Sequence, residues 1–222
     1  MDIATVPEAL RAAAGSPAAR PRKLRRGPHT RKQILDASLR LFSEKGFVRT
    51  SVRDIAQAAG ITDAAIYYHF ASKRDLFEAL IEERGFTAVL EELERAEITL
   101  GPDEVIPAIA SSALNFIYQN RDLLKVMMVE ALAEDPVATE EYRILVERWE
   151  RAEARILRYY AAQGLLRTAA IDVLAKQLVL TVLGAFEDYL MSPTAAPKPD
   201  TPPRELMEQV EGSIQNIVQG IT

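Results

Sequence analysis

Cysteine is absent from the 222 residues. No disulfide framework and no thiolate metal site can be built, which fits a reducing compartment and makes the cytoplasm the expectation. Histidine is nearly absent: His29 and His69 are the only two, both in the first third of the chain. A His-rich metal centre or a His-based catalytic triad in the remainder is excluded, and no cofactor is called for. Long apolar runs are missing too. The most lipid-like stretch, Gln177 to Phe186, is ten uncharged residues between Lys176 and Glu187, whereas about 20 are needed to cross a bilayer. Met1–Gly15 has no apolar centre of a secretory signal, so a soluble chain with no membrane partner is expected. Finally, there is no P-loop, no Gly-rich phosphate cradle, no nucleophile elbow and no Glu-x-x-His pair. Paired acids such as Glu82/Glu83 and Glu140/Glu141 remain, but charge runs on helices are mostly solvated faces. An enzyme on a helical scaffold is a residual alternative only.

What is present is unevenly distributed. Hydrophobic residues make up 48% of the chain, enough for a real core, and the formal net charge is −5. Residues 1–78 hold 14 Lys/Arg against 8 Asp/Glu, a net of +6, while residues 79–222 hold 13 against 24, a net of −11. A basic front joined to an acidic body suits a protein that offers one face to a polyanion.

The most informative stretch runs from Thr50 to Leu76, TSVRDIAQAAGITDAAIYYHFASKRDL. It reads as helix, turn, short helix, turn, and the start of a longer helix. Thr50 or Ser51 can cap the first helix with a hydroxyl. Val52, Ile55 and Ala56 give it an apolar face, with Ala56 small where a second helix must cross closely. Gly60 can take the left-handed backbone of a sharp turn. Thr62 is a second cap, opening the short helix Asp63 to Tyr68; Ser72, with Asp75 three residues on, is a third. In the short helix Ile66 faces inward. Thr62, Ala64, Ala65, Tyr67, Tyr68 and His69 then form a polar-aromatic surface with no Lys or Arg. A helix that enters a DNA major groove wants such chemistry: small side chains permit approach and touch thymine methyls, and hydroxyls and imidazole hydrogen-bond base edges. Any one of the aromatics alone would read better as packing at a helix end; the capped constellation as a whole favours DNA reading. Asp63 is open, either accepting from cytosine or stabilising the helix start.

These motifs carry a resemblance. From Thr30 to about Leu80, TRKQILDASLRLFSEKGF, then TSVRDIAQAAGI, then Tyr68–His69–Phe70 followed by Ser72–Lys73 and Leu76, the chain resembles the N-terminal domain of the tetracycline-repressor (TetR) family of transcriptional regulators. The likeness covers about a quarter of the chain. It implies an all-α protein of about nine helices: a flexible basic arm (1–27), a three-helix helix-turn-helix DNA-binding domain (28–76), and a helical ligand-binding and dimerisation domain (77–222). It implies a homodimer on a palindromic double-stranded DNA operator, released by a small hydrophobic or amphipathic effector. Thr50, Ser51, Lys73, Arg31 and the arm residues Arg22, Arg25 and Arg26 become candidate phosphate contacts. The basic run Arg20–Arg26 has two readings, a solvated tail or an arm lying on phosphates or in a minor groove. An architectural DNA-binding protein without effector is the alternative function, and activation in place of repression is left open.

Along the chain, a helix is expected from Thr30, capped with Gln33, to Lys45, stopped by Gly46. A fourth helix should continue past the DNA domain to about Gly101–Pro102 as a lever shared by both domains, an inference owed to the family. Pro107 should open a helix to about Gln119, Asn120 should cap the next, Arg121 to Ala133, and Thr139 to Gln163 should follow. A nearly all-apolar helix, Ile171 to Met191, has Gly184 for close approach by a partner chain. Pro193–Pro203, with five prolines, must be irregular. The last helix carries the stripe Leu206, Val210, Ile214, Ile217 and Ile221, and with its predecessor would form a four-helix dimer bundle. The candidate pocket residues are Phe86, Phe116, Met127, Trp149 and Phe186, with Tyr118 or Tyr159 as polar handles; aromatics at this spacing read equally as core. An apolar or amphipathic ligand, such as a lipid-like acid or a hydrophobic drug, is the expected class.

Overall fold

The computed structural model describes residues 26–83, 86–95, 98, 100–168, 170–192 and 201–222. Among these there are ten α-helices and no strand: α1 Arg26–Lys45, α2 Val52–Ala59, α3 Asp63–His69, α4 Lys73–Glu83, α5 Phe86–Arg95, α6 Pro102–Gln119, α7 Arg121–Leu132, α8 Pro136–Ala162, α9 Ile171–Met191 and α10 Arg204–Gln219. The arm, the junction at 84–85 that would make α4 and α5 one lever, and residues 193–200 of the proline-rich loop lie outside the described residues.

Most differences from the expected boundaries have local causes. The first helix begins at Arg26, so Thr30 sits inside it and the Thr30/Gln33 capping box does not form. Pro102, not Pro107, opens α6, and Pro107 lies within the helix. There, past the first turn, it forfeits the bond to the carbonyl four residues back. Asn120 precedes α7 without a side-chain capping bond. The α8 helix starts three residues earlier than expected, at Pro136, because Asp135 Oδ1 accepts from the N–H groups of Val137 and Ala138, both at 3.0 Å.

Two compact units form. One holds the described residues up to Phe86 together with Asn120–Ile144; the other holds Thr87–Gln119 and Leu145–Thr222. The first is therefore larger than the expected 28–76 domain. Its core is Ile34, Leu35, Leu41, Ile55, Ile66, Leu76 and Leu80, with Phe42, Phe47 and Phe77 all buried. Their ring centroids stand 5.1, 5.3 and 6.3 Å apart. Each such side chain contributes about 1.5–3 kcal/mol by burial, and edge-on pairs add about 0.5–1.5 kcal/mol. The α7 helix joins this unit by packing on α1. Buried Glu130 of α7 fixes the contact, its Oε1 accepting from the Phe47 N–H at 2.9 Å.

In the second unit α10 packs on α6 and α9. Leu206, Val210, Ile214 and Val218 are its buried stripe, while Ile217 and Ile221 are only half-buried. The α9 helix buries Leu174, Leu178, Val179, Val182, Leu183 and Phe186. Its other face leaves Val173, Leu180 and Met191 exposed.

Candidate nucleic-acid interface

The reading unit is held by its caps. Ser51 Oγ accepts from the Asp54 N–H at 3.1 Å, and Asp54 Oδ2 accepts from the Ser51 N–H at 2.9 Å and from its hydroxyl at 2.7 Å. Those bonds, side-chain first, hold the Asp54 carboxyl below its ordinary value. The α2 helix ends on Gly60 at φ +67°, a backbone that costs a residue with a Cβ about 1–2 kcal/mol. Its successor Ile61 returns an N–H to Ala56 O at 3.0 Å. Thr62 then caps α3, accepting from the Ala65 N–H at 3.2 Å. Ile66 and Phe70 are buried and seat the helix from below. Ser72 and Asp75 cap α4 reciprocally, with the Asp75 N–H on Ser72 Oγ at 3.1 Å and the hydroxyl on Asp75 Oδ1 at 2.8 Å.

This framework presents one short helix outward. Thr62, Asp63 and Ala64 are exposed, Ala65 and His69 are half-buried, and Tyr67 and Tyr68 are 56% and 85% exposed. The Tyr68 ring stands edge-on to His69 at 5.2 Å. Seven helical residues span about 10 Å, which suits a major groove about 12 Å wide. Bulky aromatics are not left in water without cost, and here the same short helix leaves two of them exposed beside hydroxyls and small side chains. Ser51 is exposed beside it. So is Arg53, in the first turn of α2, which the sequence reading missed; an arginine two residues past a cap that borders the reading helix was the available signal.

Three expected phosphate contacts are placed differently. Thr50 is 1% exposed; its hydroxyl is engaged with the carbonyls of Leu41 at 3.2 Å and Gly46 at 2.8 Å, so it fastens the end of α1. Lys73 turns inward. Its Nζ donates to Phe47 O at 2.7 Å, Thr50 O at 2.9 Å and Val48 O at 3.3 Å, and stands 4.3 Å over the Phe47 ring. An ammonium has three hydrogens, and all are committed to the turn that carries α2. Burial lowers the Lys73 pKa, with Glu130 and Asp135 opposing. Arg31 pairs with Glu83 at 2.7 Å and lies 5.2 Å over Phe70; a phosphate would have to compete with that carboxylate. Arg22 and Arg25 lie outside the described residues, as does the Arg26 side chain.

The pocket candidates are divided between the two units. Phe116, Tyr118, Trp149 and Phe186 are buried within the second unit, but Met127 is buried in the first. Tyr118 shares its hydroxyl with Tyr189 at 3.2 Å. Tyr159 is exposed, its hydroxyl on Ile98 O at 3.3 Å, and so is no interior handle. The Phe86 side chain lies outside the described residues. A buried acid on α8, Glu153, was missed: in sequence it looks like one more member of a charged face. Among the described residues no group of three or more acids or histidines could hold a metal, and no helix is long and apolar enough to cross a membrane.

Comparison with known proteins agrees with this geometry. Residues 34–80 match the family described as bacterial regulatory proteins, tetR family. The HTH-type transcriptional regulator AcrR of Shigella flexneri is 55% identical over 53 residues, 24% of this chain; the match spans only a quarter of that relative's length, 25%. The nucleoid occlusion factor SlmA of Aliivibrio fischeri is 32% identical over 173 residues, 75% of this chain and 87% of that protein. In three dimensions the chain is similar to SmeT, the repressor of the Stenotrophomonas maltophilia multidrug efflux pump SmeDEF, with TM-score 0.68 and 24% identity over 86% of this chain and 89% of SmeT. The helix-turn-helix of α2 and α3, the all-helical body and a relative matched over most of its length lead to one conclusion: the chain belongs to the TetR family of bacterial regulatory proteins.

Proposed function

We propose that the protein is a cytoplasmic, non-enzymatic transcriptional repressor that binds a palindromic operator as a homodimer and is released by a small effector. The observation that carries it is α3: doubly capped, seated on Ile66 and Phe70, and turning Tyr67, Tyr68 and Thr62 outward without a Lys or Arg. Base edges are read by Thr62, Ala64, Ala65, Tyr67, Tyr68 and His69. Ser51, Arg53 and the arm arginines supply phosphate contacts, which position the helix without sequence information. The dimer forms through the open face of α9, where Val173, Leu180 and Met191 are exposed and a Cβ added to Gly184 would meet nothing within 4 Å. Residues 28–76 read DNA, residues 77–222 dimerise and hold the effector, and α7 braces the reading unit through Glu130.

The test separates reading from positioning. Tyr67→Ala should lower the ratio of operator to random-duplex affinity, by about 1–3 kcal/mol for a base contact. Arg53→Ala should weaken both duplexes alike and lower the salt slope by about one. An unchanged ratio in Tyr67→Ala defeats direct reading by α3.

A second reading is favoured by one observation. A match that covers most of a relative's length is to a nucleoid occlusion factor and not to a protein named as a transcriptional regulator, which favours a DNA-binding protein without effector. It predicts many chromosomal sites and DNA binding indifferent to every small molecule.

A further inference from the structure

The described residues of the second unit contain a carboxyl group without the partners that burial demands. Glu153 of α8 is 4% exposed. One oxygen, Oε1, faces Trp149 Nε1 at 3.4 Å; the other, Oε2, has no hydrogen-bond partner. Buried polar groups in proteins are nearly always bonded, so this orphan acceptor is open to a donor from outside the chain. Burial raises its proton affinity, with the Trp149 bond opposing. Around it on the same helical face stand Trp149, Ala152, Ile156 and Tyr160, all buried. The second unit holds another orphan, Asn115 Nδ2 on α6.

We infer that Glu153, held by Trp149, is the polar end of a site for an amphipathic cation, with an ammonium group on Oε2 and its apolar part among the apolar residues that surround Glu153. Two features select a cation over the lipid-like acid expected from sequence. A carboxylate in this setting repels an anionic head group. An ammonium supplies both the missing donor and the missing counter-charge. The inference rests on the effector reading above and narrows its ligand class.

The chain has one tryptophan, so Trp149 emission reports this site alone. The full-length protein is titrated with dodecylamine, dodecanol and dodecanoate below their aggregation concentrations, in the presence of labelled DNA carrying its selected sites. Emission and DNA retention are read together. Dodecylamine should alter Trp149 emission at concentrations at least about tenfold lower than the other two, the size expected for one buried charge-assisted bond. Glu153→Gln should erase that preference while leaving dodecanol unchanged, and Glu153→Asp should keep part of it. Equal response to dodecanoate, a preference that survives in Glu153→Gln, or no emission response to any probe overturns the inference. The wild-type comparison decides even if a variant fails to fold. A Glu153-dependent emission change with DNA still bound leaves the cation site standing and defeats release by effector. DNA release by dodecanol or dodecanoate without Glu153 dependence does the reverse.

Discussion

Replacing Lys73 by methionine decides whether this lysine serves the fold or the DNA. The substitution keeps the aliphatic stem on Phe47 and removes the ammonium from the carbonyls of Phe47, Val48 and Thr50. A hydrogen bond to a charged group contributes about 1.5–3 kcal/mol when buried, and Lys73 is half-exposed, so the three together should be worth about 2–3 kcal/mol. Buried Glu130, whose attraction for the ammonium partly offsets its burial, loses a favourable neighbour as well. For a chain of this size that corresponds to a fall of about 5–10 °C in Tm. Thermal unfolding and DNA affinity at several salt concentrations are measured on the same preparation. The turn-tying role predicts the drop in Tm with the salt slope unchanged. An unaltered Tm, with a slope of log K against log salt lower by about 0.9 per protomer, refutes it and restores Lys73 as a phosphate anchor.

Glu153 gives a pH signature. Burial raises its carboxyl from 4.5 to about 7, with the Trp149 bond opposing. A folded pKa above the unfolded one means the contribution is fully present below pH 4.5 and is lost as pH rises through about 7, on the order of 3 kcal/mol across that window. Urea unfolding should therefore show Glu153→Gln more stable than the parent at about pH 8 and the two converging toward about pH 5; equal stability at the higher pH speaks against a buried carboxylate. On the open face of α9, Leu180→Glu should shift sedimentation from dimer toward monomer without lowering helix content; a dimer that persists unchanged places the interface elsewhere.

The legible parts of the fold were those fixed by neighbours in sequence. Ser51 with Asp54, Thr62 with Ala65, and Ser72 with Asp75 are each closed within four residues, and the αL glycines 46 and 60 terminate the elements they were expected to. Helix α9 spans 171–191 as its nearly all-round apolar pattern suggested, since no Pro interrupts it. Misplaced residues depend on distant partners. Thr50 looked like a surface hydroxyl, but its acceptors are in α1 and the turn behind it. Lys73 has the composition of a DNA anchor, yet its carbonyl partners lie 23 to 26 residues upstream. Glu153 sits on a helix rich in acids, Glu130 near the end of one with a single other acid, and only the fold turns them inward. Thr30 failed as a cap because the helix continues upstream of it to Arg26, which overrode a correct local signal.

The central claim is that paired copies of α3 read inverted half-sites. Selection of bound duplexes from a random pool by the purified protein tests it most directly. Enrichment of inverted repeats with half-site centres about 10–10.5 bp apart, or a multiple of that, is the predicted result, and Tyr67→Ala should blur the enriched sequence. Recovery of single half-sites, or of duplexes with no common sequence, contradicts the account.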